Sequence, residues 1–212
     1  MLSFRQSSGV GGYWLLTIGL AVLLLPAPAE AHVALQTMGS FWSGVAHVLT
    51  SLDQVFFLIG LAIWTSFLDW DGDARLIAAV FIAVFAGVLL GAAVDPEGRF
   101  DLGGIVAALL TAVGLAGAAR LRLNAAPVLG FASVGGLVAG AAGGSGATGL
   151  SLGLFSLGGS IASASVLSYA ILATRRIGPE WARIAMRAGA SWIAAIGLML
   201  LAFAMVHRGG DG

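Results

Sequence analysis

The sequence predicts an all-α, polytopic membrane protein: a bundle of six transmembrane helices that follows a cleaved signal peptide. Of its 212 residues, 59% are hydrophobic and 9% are charged, with a mean hydropathy of +1.00. A soluble domain carries about 25% charged residues. The apolar residues also come in stretches close to the roughly 20 residues that cross a bilayer. These observations exclude a soluble fold and favour a chain surrounded by lipid.

The charge balance and the absence of cysteine exclude several kinds of function. Ten basic and ten acidic residues give a net charge of +0, so no basic field attracts nucleic acid. Without cysteine there are no disulfides, thiolate metal sites or cysteine nucleophiles. A hydrolase is a weak alternative, because His47 has no serine and acidic partners in a recognised arrangement. We therefore predict no catalytic residues and expect that the protein is not an enzyme.

The N-terminus has the pattern of an export signal over residues 1–31, so that residues 32–212 form a single membrane domain. Arg5 lies in a polar leader, an apolar run follows, and small residues precede Ala31. An uncleaved signal anchor is the alternative. Cleavage after Ala31 would make His32 the first residue of the mature chain, and cleavage after Ala29 would make it the third. In either position His32 could bind metal through its imidazole together with the free amine.

Six apolar segments of the mature chain predict the membrane helices. The first is too long for one straight span at 1.5 Å per residue, so we expect that its start lies along the interface or that the helix is broken. The segments are Phe41–Leu68, Leu76–Val94, Leu102–Ala119, Ala125–Gly143, Gly149–Ala173 and Ile184–Val206.

The arginines predict the orientation. If both ends of the mature chain lie outside a bacterial inner membrane, only Arg99 and Arg208 fall in outer segments. The positive-inside rule favours this arrangement. The arginines that would then be cytoplasmic are Arg75, Arg120, Arg122, Arg175, Arg176, Arg183 and Arg187.

Small residues are abundant in the later helices, most densely between Gly140 and Gly149. Close packing of helix backbones is the favoured interpretation. The alternative is a broken helix whose carbonyls face a cavity. On the fifth helix Ser156, Ser160 and Ser163 give one hydroxyl-bearing face, which is typical of serines that bond within or between helices.

The first helix carries the candidate site. If it were continuous, its polar side chains would form one stripe, with Asp53 beside it. A carboxylate inside a span costs about 2.5 to 3.5 kcal/mol and therefore indicates function. An imidazole and a carboxylate near the outer surface, with His32 close in sequence, predict a site for Ni²⁺, Cu²⁺ or Zn²⁺. A structural role is the alternative, in which Asp53 accepts a hydrogen bond from Thr50 or a neighbouring helix and His47 lies at the headgroups. The stripe consists of Ser43, His47, Thr50 and Gln54.

These residues carry a resemblance to a known family. Gly44-x-x-His47-x-x-x-x-x-Asp53, followed by Val55-Phe56-Phe57-Leu58 and preceded by a signal that ends in Ala31-His32, resembles the first motif of the HupE/UreJ family of nickel permease-like membrane proteins. In that family a histidine commonly follows the motif aspartate, where this chain has Gln54. The resemblance extends in helix number and spacing over most of the mature chain.

The resemblance implies transport of Ni²⁺ or another divalent transition metal, with His47 and Asp53 as the first ligands and Ser43, Thr50 and Gln54 along a polar pathway. The ion would be cargo, and no permanently bound cofactor is expected. The expected partners are the lipid bilayer, the metal ion, and a second copy or another membrane protein. The alternative is a non-transporting accessory or assembly subunit for a metalloenzyme.

Overall fold

The computed structural model describes residues 39–97, 99, 101–145, 151–176 and 180–209. This part of the chain contains helices and no strands, which confirms the all-α prediction for it. The predicted signal peptide lies outside the described residues. The helices are α1 (Ser40–Thr50), α2 (Leu52–Ser66), α3 (Asp73–Val94), α4 (Gly103–Ala118), α5 (Ala125–Gly144), α6 (Leu152–Arg176) and α7 (Glu180–Gly209).

The first predicted span is broken at Ser51, as its length led us to expect. Helices α1 and α2 meet there at a bend of 70°. The Ser51 backbone N–H and hydroxyl both donate to the carbonyl of His47, at 3.0 and 2.7 Å, while the Ser51 carbonyl accepts from Val55 at 3.0 Å. The backbone N–H and carbonyl of Ser51 therefore keep their hydrogen bonds at the break, which matters because lipid offers no partner to a backbone group.

The later helices follow the apolar segments of the sequence. Helices α3, α5, α6 and α7 are each long and apolar enough to cross a membrane, and α4 is a shorter apolar helix. The last helix begins at Glu180, before the predicted Ile184, and ends at Gly209, beyond the predicted Val206. Hydropathy underestimates the length of this helix, because its first turns are helical although they contain charged arginines. The described chain is a helical membrane protein.

Helix α2 lies at the centre of the bundle and packs against α4, α6 and α7, while α3 pairs with α5, α4 with α7, and α1 with α6. The core between these helices is aliphatic and fully buried at Leu61, Leu110, Val128 and Leu167. The position of α2 brings the break at Ser51 against several neighbouring helices.

Glycines bring helix backbones into direct contact. A Cβ on Gly140 or Gly144 would collide with carbonyl oxygens of α3, and one on Gly44 would collide with the carbonyl of Phe155 on α6. Only glycine fits at such crossings. Close packing is therefore confirmed for the described part of the glycine-rich stretch, and residues 146–150 lie outside it.

Charged side chains divide between the two ends of the bundle. At the arginine-rich end, Arg175 forms an ion pair with Asp73 at 2.5 Å, and Arg187 donates to the carbonyl of Ala118 at 3.1 Å. These contacts place the starts of α3 and α7 beside the ends of α6 and α4. The opposite, acidic end contains Asp53, Asp95, Glu97, Arg99 and Asp101.

Candidate functional site

A cavity of about 430 Å³ opens at the acidic end, among α2, α4 and α5. We call it the acidic pocket. Two carboxylates and one guanidinium line it, together with small and aliphatic residues. Its lining consists of Asp53, Arg99, Asp101, Leu102, Gly103, Val106, Ala142 and Ser145.

Asp53 lies in the first turn of α2 and is half-buried. The partial positive charge of a helix N-terminus favours a carboxylate there, which explains how the membrane segment tolerates it. The proposed hydrogen bond from Thr50 is not formed in the described structure, because the Thr50 hydroxyl donates to the carbonyls of Ala46 at 2.8 Å and His47 at 3.2 Å. The Asp53 side chain lines the acidic pocket instead.

His47 lies near the end of α1 and faces neighbouring helices. Its imidazole is half-buried and packs so closely on Gly143 of α5 that a Cβ there would lie 2.6 Å from Nε2. The ring of Phe155 on α6 lies 5.9 Å away between centroids. Glycine at position 143 therefore makes room for the imidazole inside the bundle.

His47 and Asp53 lie on opposite sides of the break, and the end of α5 is near both of them. His47 packs on Gly143, and Asp53 lines the acidic pocket together with Ala142 and Ser145, whereas His47 is not part of that lining. The C-terminal ends of α1 and α5 both lie near the break. A helix C-terminus carries a partial negative charge, which offsets the partial positive charge of the α2 N-terminus beside Asp53.

The continuous polar stripe expected on the first helix is not formed. Helix α1 ends at Thr50 and α2 turns away from it by 70°, so the i, i+4, i+7, i+11 spacing no longer describes one face. Ser43 donates to the carbonyl of Gly39 at 3.1 Å, and Thr50 is exposed. Gln54 is buried, with 5% of its surface exposed. A role for these three side chains in a pathway stays a prediction.

The serine face of α6 is used for packing. Ser156 and Ser160 are fully buried and donate to the carbonyls of Leu152 and Ser156, at 2.6 and 2.7 Å. Ser163 accepts a hydrogen bond from Gln54 Nε2 at 3.4 Å. This agrees with the interpretation of the face as serines that bond within and between helices.

Sequence reasoning missed Arg99, Asp101 and Ser145 as parts of the site. The first two belong to a short acidic loop that a sequence presents only as a turn, and the fold places that loop beside Asp53. Within the described ranges no group of three or more His, Asp or Glu side chains gathers around one point. His32 lies outside those ranges.

The fold and the site together define a helical membrane protein with a first apolar segment that is broken at Ser51 and an acidic pocket beside the break. The family model described as HupE / UreJ protein matches residues 20–200. The chain therefore belongs to the HupE/UreJ family, which confirms the resemblance carried by the Gly44 to Asp53 motif. This family is associated with metal transport in membranes rather than with enzymatic activity. Neither a curated protein nor a solved structure matches the chain.

Proposed function

We propose that the protein is a permease for Ni²⁺ or a related divalent transition metal, with the acidic pocket as its outer opening and His47 and Asp53 as the first ligands of the ion. One observation carries the proposal: on one side of the break the His47 imidazole packs on Gly143 of α5, and on the other side Asp53 lines the acidic pocket together with Ala142 and Ser145. Broken membrane helices are a recurrent way of building ion sites, because their ends present backbone groups to the ion.

The electrostatics of the acidic end support a cation as the cargo. Its described carboxylates outnumber its single described guanidinium, that of Arg99, which is itself paired with Glu97. A pocket with an excess of one charge raises the local concentration of the opposite ion. Imidazole nitrogen with carboxylate oxygen suits Ni²⁺, Cu²⁺ and Zn²⁺. Water and backbone carbonyls would complete the coordination of an ion in transit.

The topology that accompanies this proposal has six passes, of which α1 with α2 forms the first. Arginines gather at one end of the bundle, which we assign to the cytoplasmic side of a bacterial inner membrane by the positive-inside rule. The acidic pocket and both ends of the mature chain then face outward.

Removal of residues 1–31 would place His32 and a free amine on the same outer side as the acidic pocket. The intact mass of the purified protein decides between cleavage after Ala29, cleavage after Ala31 and retention of the signal. Metal titration of His32→Ala against the wild type then tests whether His32 is a ligand, and an unchanged affinity would remove it from the site.

Uptake into sealed proteoliposomes tests the permease directly, with Ni²⁺, Co²⁺, Cu²⁺ and Zn²⁺ offered separately. We expect uptake by the wild type and a loss of at least tenfold in Asp53→Asn and in His47→Ala, since each removes a first ligand. Asp69→Asn is the matched control, because Asp69 is an exposed carboxylate at the arginine-rich end. If the wild type moves none of these ions, the permease is refuted and the accessory-subunit alternative takes its place.

A further inference from the structure

A second charged cavity lies at the arginine-rich end, between the end of α4 and the first turns of α7. It has a volume of about 230 Å³ and is lined by Arg120, Glu180, Arg183, Ile184 and Arg187. We call it the arginine pocket. It lies at the opposite end of the bundle from the acidic pocket, and neither His47 nor Asp53 lines it.

Three arginines surround this cavity, and the guanidinium groups of two of them, Arg120 and Arg187, have defined contacts. Arg183 and Arg187 lie one turn apart on α7. Arg187 is held by its Nε–H, which donates to the carbonyl of Ala118 at 3.1 Å. Arg120 follows α4, and its backbone φ of 53° lies in the left-handed region, which residues other than glycine rarely adopt. Its guanidinium lies 5.2 Å from the centroid of the Phe67 ring.

None of these three guanidinium groups forms an ion pair within the described part of the chain. The ion pairs there join Arg99 to Glu97 and Arg175 to Asp73, and Glu180 lines the cavity without an ion pair to any of the three arginines. Like charges at i and i+4 of a helix destabilise it. An anion in the cavity would remove that repulsion, and phosphate oxygens match the planar fork of arginine donors.

The surroundings of the cavity favour an amphiphilic anion. Ile184 lines it with 67% of its surface exposed, and Trp181, in the same first turns of α7, is 71% exposed. Tryptophan beside a charged helix end is typical of the headgroup level of a membrane. Basic pockets between membrane helices on the cytoplasmic side are known to bind anionic headgroups.

We propose that the arginine pocket binds the phosphate of an anionic phospholipid from the cytoplasmic leaflet, with the acyl chains lying along Ile184 and the exposed face of α7. A phospholipid headgroup and free phosphate both present phosphate oxygens to the arginines. The source we assign is the lipid, because an apolar side chain lies beside the charged ones.

Native mass spectrometry of the purified full chain tests the proposal, with phosphatidylglycerol, phosphatidylcholine and inorganic phosphate titrated separately. We expect phosphatidylglycerol to bind more tightly than phosphatidylcholine. Arg183→Gln should weaken it about fivefold, since one arginine at a membrane surface contributes about 1 kcal/mol, and the double variant R183Q/R187Q should weaken it further. The matched control is R75Q/R176Q, which removes two exposed charges of the same end that do not line the pocket.

An equal loss in R75Q/R176Q would overturn the site, because the arginines would then act only through the general charge of this end. If inorganic phosphate displaces phosphatidylglycerol and depends on the same arginines, the lipid is overturned as the ligand. Gel filtration checks the fold of each variant. If R183Q/R187Q does not fold, the lipid affinity of the single variant Arg183→Gln tests the site. This variant should fold, because Arg183 makes no hydrogen bond within the described residues.

Discussion

The amide of Gln54 donates a hydrogen bond to the hydroxyl of Ser163 at 3.4 Å, and this bond joins α2 to α6 just after the break in the first span. Both side chains are buried, at 5% and 0% exposure. In the family a histidine commonly occupies the position of Gln54. In this chain the position has a packing role that an amide can fulfil.

We expect Ser163→Ala to lower the stability of the protein by about 0.6 to 1 kcal/mol, since it leaves the Gln54 amide without its acceptor. Unfolding in mixed micelles measures the loss. Ser168→Ala is the control, because the Ser168 hydroxyl donates to Ala164 within α6 itself, at 2.6 Å. Equal stability of the Ser163 and Ser168 variants would contradict the interhelical bond.

A second prediction concerns the glycine that packs on His47. Gly143→Ala would place a Cβ 2.6 Å from His47 Nε2 and so displace the imidazole, and we expect metal uptake to fall at least fivefold. Gly130→Ala on the same helix is the control, since nothing lies within 4 Å of its Cβ position and alanine favours a helix by about 1 kcal/mol. Uptake by the two variants is compared at equal protein density. A Gly143→Ala protein that transports like Gly130→Ala would show that the position of His47 does not matter.

Arg99 should oppose the cation in the acidic pocket, because its guanidinium lines the cavity together with Asp53 and Asp101. We expect Arg99→Gln to lower the KM for metal uptake roughly threefold at low ionic strength and less at 0.15 M salt, where the Debye length is about 8 Å. Arg176→Gln, at the other end, should leave KM unchanged. A higher KM in Arg99→Gln would mean that Arg99 positions the carboxylates rather than repels the ion.

The orientation can be tested cleanly, because the chain has no natural cysteine. We expect a membrane-impermeant maleimide to label Glu97→Cys from outside the cell and Arg122→Cys only after the membrane is opened. Both positions are exposed at opposite ends of the bundle. The reverse pattern would invert the assignment of the arginine-rich end to the cytoplasm.

The sequence predicts the helical segments well because their apolar lengths are set by the bilayer. It also predicts that the first span cannot be one straight helix. It does not predict the angle at Ser51, which depends on how α1 packs against α6 through Gly44 and Gly158. For that reason the continuous polar stripe expected from the sequence is not formed.

The candidate site was predictable only in part, for a similar reason. His47 and Asp53 stand out because polar groups are costly in lipid. Arg99 and Asp101 do not stand out, because charge is ordinary in a loop, and only the packing of α4 beside α2 and α5 brings them to Asp53.

The shortness of α4 has a consequence for the membrane itself. Its 16 residues extend about 24 Å at 1.5 Å per residue, whereas the hydrocarbon core is about 30 Å thick. The start of this helix lines the acidic pocket at Gly103 and Val106. A bilayer that thins to match α4 would bring outside water deeper beside the pocket, so an ion bound there would have less hydrocarbon left to cross.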